Sequence, residues 1–100
     1  MIKFIRSARV EAGKVREAAQ WAREVADWIN ARQPDANVQV YREVFGAAGT
    51  LYWISEAADV AMLERQTAEW QATPEWQALM ARNAGLLVAG SVQDTVLRSI

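Results

Sequence analysis

The sequence predicts a single α+β domain in which a four-stranded antiparallel sheet carries helices on one face. The chain has 100 residues, of which 52% are hydrophobic, and a chain of this size supports one hydrophobic core. Apolar residues alternate with polar ones in some segments and recur every three to four residues in others, which distinguishes strands from helices. The segments follow the order strand, helix, strand, strand, helix, strand. Over residues 1–100 this is the βαββαβ plan of a ferredoxin-like domain.

The first half of this plan is one strand followed by one long helix. Residues 1–10 alternate between apolar side chains and polar ones such as Lys3 and Arg9, which is the pattern of a half-buried strand. Residues 11–32 place apolar residues at three- and four-residue steps, which predicts an amphipathic helix. Pro34 ends this helix because proline cannot continue it.

The second half begins with a hairpin and ends with a strand. Residues 38–45 and 50–55 predict two antiparallel strands, because the short segment 46–49 between them contains two glycines. Residues 86–98 predict the last strand of the sheet.

Between the hairpin and the last strand, the sequence predicts a helix that is broken once. Ser55 or Asp59 can cap its beginning. Thr73 begins a second segment, because a Thr cap there precedes a proline, a residue that favours the first helical position.

The composition excludes several classes of function. The chain carries 11 basic and 12 acidic residues, so it has no basic patch of the kind that binds nucleic acid or a membrane surface. It contains no Cys and no His, which excludes disulfides, thiolate or imidazole metal sites and Ser–His triads. We therefore expect no metal and no cofactor. We expect a cytoplasmic protein, because we find neither a signal-like apolar run nor 18 consecutive apolar residues.

Both faces of the predicted sheet carry large apolar residues. The set that we expect to face the helices is Ile2, Phe4, Val38, Val40, Val44, Tyr52, Ile54, Val88, Val92 and Val96. The opposite set is Ile5, Tyr41, Phe45, Leu51, Trp53, Leu87, Ala89 and Leu97. So large an apolar patch exceeds what soluble monomers usually expose, although single surface hydrophobics are common. We therefore predict a homodimer that buries the second face. The predicted interface residues are Ile5, Tyr41, Leu51 and Trp53.

Three charged residues, Arg6, Arg42 and Asp94, interrupt the set that should face the helices. Buried charges are normally paired, so these residues either form an Arg–Asp pair near the strand ends or face a ligand. In the second case Arg6 and Arg42 would donate to an anionic or carbonyl group. Tyr52 on the next strand and Asn83 on the third helix complete the candidate ligand-binding set. The sequence indicates no catalytic residue.

The chain contains five tryptophans. Trp70 and Trp76 lie on the apolar faces of their helices, so we expect them to fill the core between helices and sheet. Trp21 and Trp28 lie seven residues apart on one shoulder of the first helix, beside its apolar stripe, so we expect them to be exposed. There they would form a surface for another protein or the rim of a pocket.

One part of the chain resembles a known family. Residues 52–55 (YWIS), Asp59, Leu63 and Glu64, and residues 73–77 (TPEWQ) resemble the NIPSNAP-type members of the dimeric α–β barrel superfamily. In those proteins a strand that ends in Trp and an aliphatic residue precedes an Asp-containing turn, a helix rich in Ala, Arg and Glu, and an acidic or Pro-containing restart. The resemblance implies two sheets packed face to face as a homodimer.

The same superfamily contains haem-degrading monooxygenases and cofactor-independent, quinone-forming monooxygenases. The haem enzymes use a His as iron ligand, and this chain has none. The cofactor-independent enzymes place Asn, Trp, Tyr and Arg around an aromatic substrate. The residues of those types here are Asn83, Trp70, Tyr52 and Arg42.

Three functions therefore stand open. The first is a homodimeric, NIPSNAP-like protein that binds a small apolar or aromatic molecule between sheet and helices. The second is a cofactor-independent monooxygenase that acts on an aromatic substrate. The third is a protein-interaction module that docks its partner on the tryptophan shoulder. An interior cavity favours the first two functions, and an interior filled by side chains favours the third.

Overall fold

The computed structural model, which describes all 100 residues, contains one sheet and three α-helices. The strands are β1 (Ile2–Arg9), β2 (Gln39–Arg42), β3 (Thr50–Ala57) and β4 (Gln93–Arg98). The helices are α1 (Val15–Arg32), α2 (Val60–Gln71) and α3 (Pro74–Ala81). All strand pairs are antiparallel, in the order β2-β3-β1-β4, and α1 covers one face of the sheet. The predicted ferredoxin-like α+β fold is confirmed. No helix is both long enough and apolar enough to cross a lipid bilayer.

Two strands are shorter than the sequence predicted. The last strand begins at Gln93 instead of residue 86, because Gly85 and Gly90 adopt left-handed conformations with φ of 79° and 77° and turn the chain before it joins the sheet. A single bridge between Val10 and Leu87 is the one ladder contact of this segment. β2 ends at Arg42, and a loop replaces the predicted continuation to residue 45.

Side-chain caps begin both later helices. The carboxylate of Asp59 accepts a hydrogen bond from the backbone N–H of Met62 at 2.8 Å, at the start of α2. The hydroxyl of Thr73 accepts from the N–H of Trp76 at 3.2 Å and donates to the carbonyl of Trp70 at 2.8 Å. Thr73 therefore ends one helix and begins the next, as the sequence predicted.

Helix α1 lies against the sheet through small residues. Ala18 and Ala22 are fully buried, which lets the helix backbone approach the strands closely. The indole N–H of Trp53, on β3, donates to the carbonyl of Ala22 at 3.2 Å. The amide of Asn30 binds both backbone groups of Val38, at 2.8 and 2.9 Å, and so ties the end of α1 to the chain that enters β2.

The strand register corrects the predicted faces of β3. Arg6 lies opposite Trp53, and Ala8 lies opposite Leu51, so Leu51 and Trp53 share the helix-covered face. They are 1% and 8% exposed within the single chain. The prediction that Leu51 and Trp53 lie at a dimer interface on the other face is therefore wrong. Residues 51–54 (LYWI) are large and apolar at both odd and even positions, so the alternation pattern does not indicate which of them face the helices.

The other face of the sheet is uncovered, and we call it the open face. It carries a mixture of apolar and polar side chains from all four strands. The apolar and aromatic members are Ile5, Tyr41, Tyr52, Ile54 and Leu97. Ile5 and Tyr41 therefore lie on the face that the sequence predicted for them.

Candidate ligand-binding site

A cavity of about 140 Å³ lies between the sheet and the helices. Strands β1 and β3 form its floor, α1, α2 and α3 form its walls, and the chain before β4 lines one end. Most of the lining residues are apolar, among them Phe4, Val25, Ile29, Leu63 and Met80. Protein interiors are normally packed to the density of organic crystals, so an opening of this size in the core is the most prominent candidate site in the molecule.

Tryptophans form much of the cavity wall. Trp21 and Trp53 meet edge to face with ring centroids 5.8 Å apart, and Trp70 and Trp76 do the same at 4.5 Å. All four line the cavity. Edge-to-face packing is a favourable arrangement for aromatic rings, so these indoles hold one another in place.

Hydrogen bonds fix three of these indoles further. Trp21 donates its N–H to the carbonyl of Leu79 at 2.9 Å. Trp53 donates to a carbonyl of α1, and Trp70 donates to the side-chain oxygen of Gln33 at 3.2 Å. Trp76 makes no such bond within the chain. The cavity wall is therefore largely preformed.

The expectation that Trp21 and Trp28 are exposed is wrong. Trp21 is 4% exposed and belongs to the cavity wall. Trp28 is half-buried against Trp70 and Trp76, with ring centroids 6.2 and 5.5 Å away. Their shoulder of α1 is covered because α2 and α3 pack on it, which the sequence pattern of α1 alone does not show. The guanidinium of Arg32 lies over the Trp28 ring, 4.0 Å from its centroid, as a cation–π contact.

The one cationic side chain that lines the cavity is Arg6. Its guanidinium binds the carboxylate of Asp94 through two hydrogen bonds, from Nε at 2.7 Å and from Nη2 at 2.8 Å. This pairing raises the pKa of Arg6 and lowers the pKa of Asp94 from its ordinary value of 3.8. Both groups are thus charged at neutral pH. The predicted Arg–Asp pair is present, and the cavity lies beside it.

Five uncharged polar side chains line the cavity without a side-chain hydrogen bond of their own: Ser55, Gln66, Thr67, Gln71 and Asn83. Ser55 is on β3, the next three are on α2, and Asn83 follows α3. All except the exposed Gln71 are half-buried. Hydroxyl and amide groups both donate and accept hydrogen bonds, so these residues are free to bind a polar group of a ligand.

Of the four predicted ligand-binding residues, the structure brings two to the cavity and leaves two outside. Arg6 and Asn83 line it. Tyr52 lies on the open face because of the register of β3, and its hydroxyl donates to the carboxylate of Glu43, which raises the pKa of Tyr52. Arg42 is exposed at the edge of the sheet and does not reach the cavity. The expectation that Tyr52 and Arg42 share a cleft with Arg6 is wrong.

Ser55, Gln66, Thr67 and Gln71 line the cavity but do not belong to the ligand-binding set predicted from the sequence. Ser55 was interpreted as a helix cap, a role that Asp59 fills. The sequence carries no signal that would place Ser55 at the cavity, because alternation alone does not choose the face of β3 and only its register with β1 does. Thr67 shares a helix face with Leu63 and Trp70, and a hydroxyl on such a face is the available signal.

The fold and the cavity define a class of protein, a ferredoxin-like domain with an aromatic cavity between sheet and helices. The sequence matches no family model and no curated protein. Among solved structures, the chain is similar to a NIPSNAP domain protein from Burkholderia xenovorans, with TM-score 0.85 and 21% identity over 100% of this chain and 95% of the other. It is also similar to a NIPSNAP family protein from Agrobacterium tumefaciens, with TM-score 0.82 and 20% identity over 99% and 92%.

A third similar structure is that of an antibiotic biosynthesis monooxygenase, with TM-score 0.70 and 17% identity over 100% of this chain and 99% of the other. At these identities the similarity establishes a shared fold. The resemblance to NIPSNAP proteins noted in the sequence is confirmed at that level.

Proposed function

We propose that this protein is a homodimer that binds a small apolar or aromatic molecule in the cavity between its sheet and its helices. The observation that carries the proposal is an aromatic cavity of about 140 Å³ between the sheet and the helices. An enclosed apolar cavity of roughly 150 Å³ holds a molecule of the size of benzene, and because this cavity is partly open to solvent, a second ring can extend into the opening. Tryptophan walls add favourable ring contacts for an aromatic ligand.

The packing around the cavity also supports a binding role. Protein interiors are normally filled by side chains, and one larger side chain, for example at Thr67, would occupy this volume.

The homodimer is supported by the open face. Tyr41 and Leu97 are each 51% exposed, and Ile5, Tyr52 and Ile54 lie between them on the same surface. Pairing of two open faces would remove these groups from water without disturbing the cavity behind the sheet. Light scattering at micromolar concentration should give about twice the chain mass of 11.2 kDa. A mass equal to one chain would contradict this part of the proposal.

A second candidate function is cofactor-independent oxygenation of an aromatic molecule in the same cavity. Its support is the fold shared with an antibiotic biosynthesis monooxygenase. Such chemistry needs a base, and this chain has no His. The test is oxygen uptake with 1-naphthol, which with one O₂ would give 1,4-naphthoquinone and one water. Oxygen uptake above that of buffer would support this function. Tight binding of 1-naphthol without oxygen uptake would support the binding role and contradict the oxygenase function.

The interaction-module hypothesis loses its main support. It depended on exposed Trp21 and Trp28, and these residues are packed against α3 and against other tryptophans. The interior is also not filled by side chains.

The binding proposal can be tested with a cavity-filling variant. Thr67→Phe places a ring in the cavity, whereas Ala68→Phe places the same ring on the exposed side of the same helix. We expect 1-naphthol to bind the wild type and Ala68→Phe alike, with at least a tenfold loss for Thr67→Phe. Calorimetric titration measures the binding, and circular dichroism checks the fold. Equal binding by both variants would contradict the proposed site.

A further inference from the structure

We infer that the ligand of this cavity is an uncharged aromatic molecule with a hydroxyl or carbonyl oxygen, and that the site discriminates against carboxylates and other anions. The inference rests on the proposed function, since it names the chemical class that the same cavity accepts. It follows from the charges and the free hydrogen-bonding groups at the cavity.

The positive charge of Arg6 is already used within the chain. Asp94 occupies the Nε and Nη2 edge of the guanidinium with two short hydrogen bonds, which is the geometry that a ligand carboxylate would otherwise adopt. An anionic ligand would have to displace Asp94 or lie beside its charge. Guanidinium N–H groups that Asp94 does not engage are still available to a neutral acceptor such as a carbonyl or hydroxyl oxygen.

No second cation compensates for this pairing. Arg42, the other arginine predicted for the cleft, does not line the cavity. Glu56 lines it as well, but the parity of β3 places the Glu56 side chain on the open face with Ile54. The charges at the cavity are therefore those of the Arg6–Asp94 pair, which sum to zero. Moving a carboxylate without a paired cation from water into a cavity with apolar walls is unfavourable.

Apart from Arg6 and Glu56, the polar side chains of the cavity that make no hydrogen bond within the chain are neutral: Ser55, Gln66, Thr67, Gln71 and Asn83. Ser55 is two residues beyond Trp53, the residue opposite Arg6, which corresponds to about 7 Å along the strand. A flat molecule of one or two rings with an oxygen at either end can therefore meet a hydrogen-bonding group while its rings contact tryptophans.

The test compares two probes of nearly the same shape, 1-naphthol and 1-naphthoate. At pH 7 the first is neutral and the second is ionised. Calorimetric titration of the wild-type protein should give at least tenfold tighter binding of 1-naphthol. Equal or tighter binding of 1-naphthoate would overturn the inference while leaving the proposed binding function intact. If the folded protein binds neither probe, the proposed function fails and the inference fails with it.

The variant Asp94→Asn tests the cause of the selectivity. It removes the carboxylate that occupies Arg6, so 1-naphthoate should bind at least fivefold tighter than to the wild type, with little change for 1-naphthol. Asp27→Asn is the matched control, because it makes the same change of charge at an exposed position outside the cavity. Circular dichroism confirms that both variants fold. An unchanged affinity for 1-naphthoate in Asp94→Asn, or an equal gain in Asp27→Asn, would overturn the assigned role of the pair.

Discussion

The two faces of the sheet meet different surroundings, although their strands have similar apolar content. On the helix-covered face, Leu51 and Trp53 are almost fully buried by the chain itself, and what remains unfilled there is a cavity between sheet and helices that is partly open to solvent. On the open face, Tyr41 and Leu97 stay half exposed, and no element of the chain covers them. The proposed ligand site therefore lies on the first face and the proposed interface between copies on the second.

The two faces allow ligand binding and dimerisation to be tested separately. Alternate side chains of β3 point to the cavity and to the proposed interface, so neighbouring residues have different proposed roles. Ligand binding and dimerisation should consequently respond to different substitutions. The following predictions use that independence.

The largest effect is expected for Trp53→Glu. Trp53 is 8% exposed and donates a hydrogen bond to α1. Its replacement by Glu removes the packing of a core aromatic side chain and buries a charge without a partner. We expect a loss of at least about 4 kcal/mol in the free energy of unfolding, measured by urea denaturation. A stable, folded variant that is merely monomeric would show that Trp53 serves the interface after all.

The adjacent substitution Ile54→Glu should act on the other face. Ile54 lies on the open face, opposite Ile5. The new carboxylate would therefore be in water in a single chain and would be buried against the second copy in the proposed dimer. We expect an intact fold, unchanged binding of 1-naphthol and a dimer weakened by about 2 kcal/mol or more. Light scattering and circular dichroism measure these properties. An Ile54→Glu protein that keeps the mass of a dimer would contradict the assigned interface.

A smaller effect is expected from the Arg6–Asp94 pair on stability. Both side chains are more than a third exposed, at 38% and 42%, so Asp94→Asn should cost under about 1 kcal/mol at pH 7. The pKa of Asp94 is lowered in the folded chain. Its contribution is therefore present above the ordinary value and is lost as the pH falls through the lower, folded-state pKa. The free energies of unfolding of wild type and variant, measured by urea denaturation, should converge in acid, once the pH is below the folded-state pKa of Asp94. A difference that grows as the pH falls would contradict this sign.

The smallest effect is expected for Arg42→Ala. Arg42 is exposed and lies outside the cavity, so its removal should leave the affinity for 1-naphthol unchanged within twofold. Asn83→Ala, which removes a cavity-lining amide, is the comparison and should weaken binding by about 1 kcal/mol. A larger loss of affinity for 1-naphthol in Arg42→Ala than in Asn83→Ala would show that Arg42 belongs to the site.

The order of elements could be predicted from the sequence because each signal is local. The apolar spacing of α1, the proline after it and the Thr73 cap all depend on neighbours within a few residues. The faces of β3 could not be predicted in the same way. Its apolar residues occupy both parities, and the register is set by pairing with β1, more than 40 residues away along the chain.

The candidate site was predicted in part for the same reason. Arg6 and Asn83 were found because each is a polar residue in an apolar pattern, and that signal survives without tertiary information. Ser55 and Thr67 were missed because a small hydroxyl side chain also suits a cap or a solvent face. Trp21 and Trp28 were placed in solvent because the residues that cover them come from α2 and α3, elements whose packing on α1 no local pattern specifies.

The most direct test of the central claim is a nuclear magnetic resonance titration of the ¹⁵N-labelled protein with 1-naphthol. The indole N–H groups of Trp53 and Trp76 report on the cavity, and the backbone amides of Tyr41 and Ile54 report on the open face. We expect both indole signals to shift and to saturate at one ligand per chain, while the signals of the two backbone amides do not shift. Indole signals that do not change at saturating probe, or shifts confined to the open face, would contradict it.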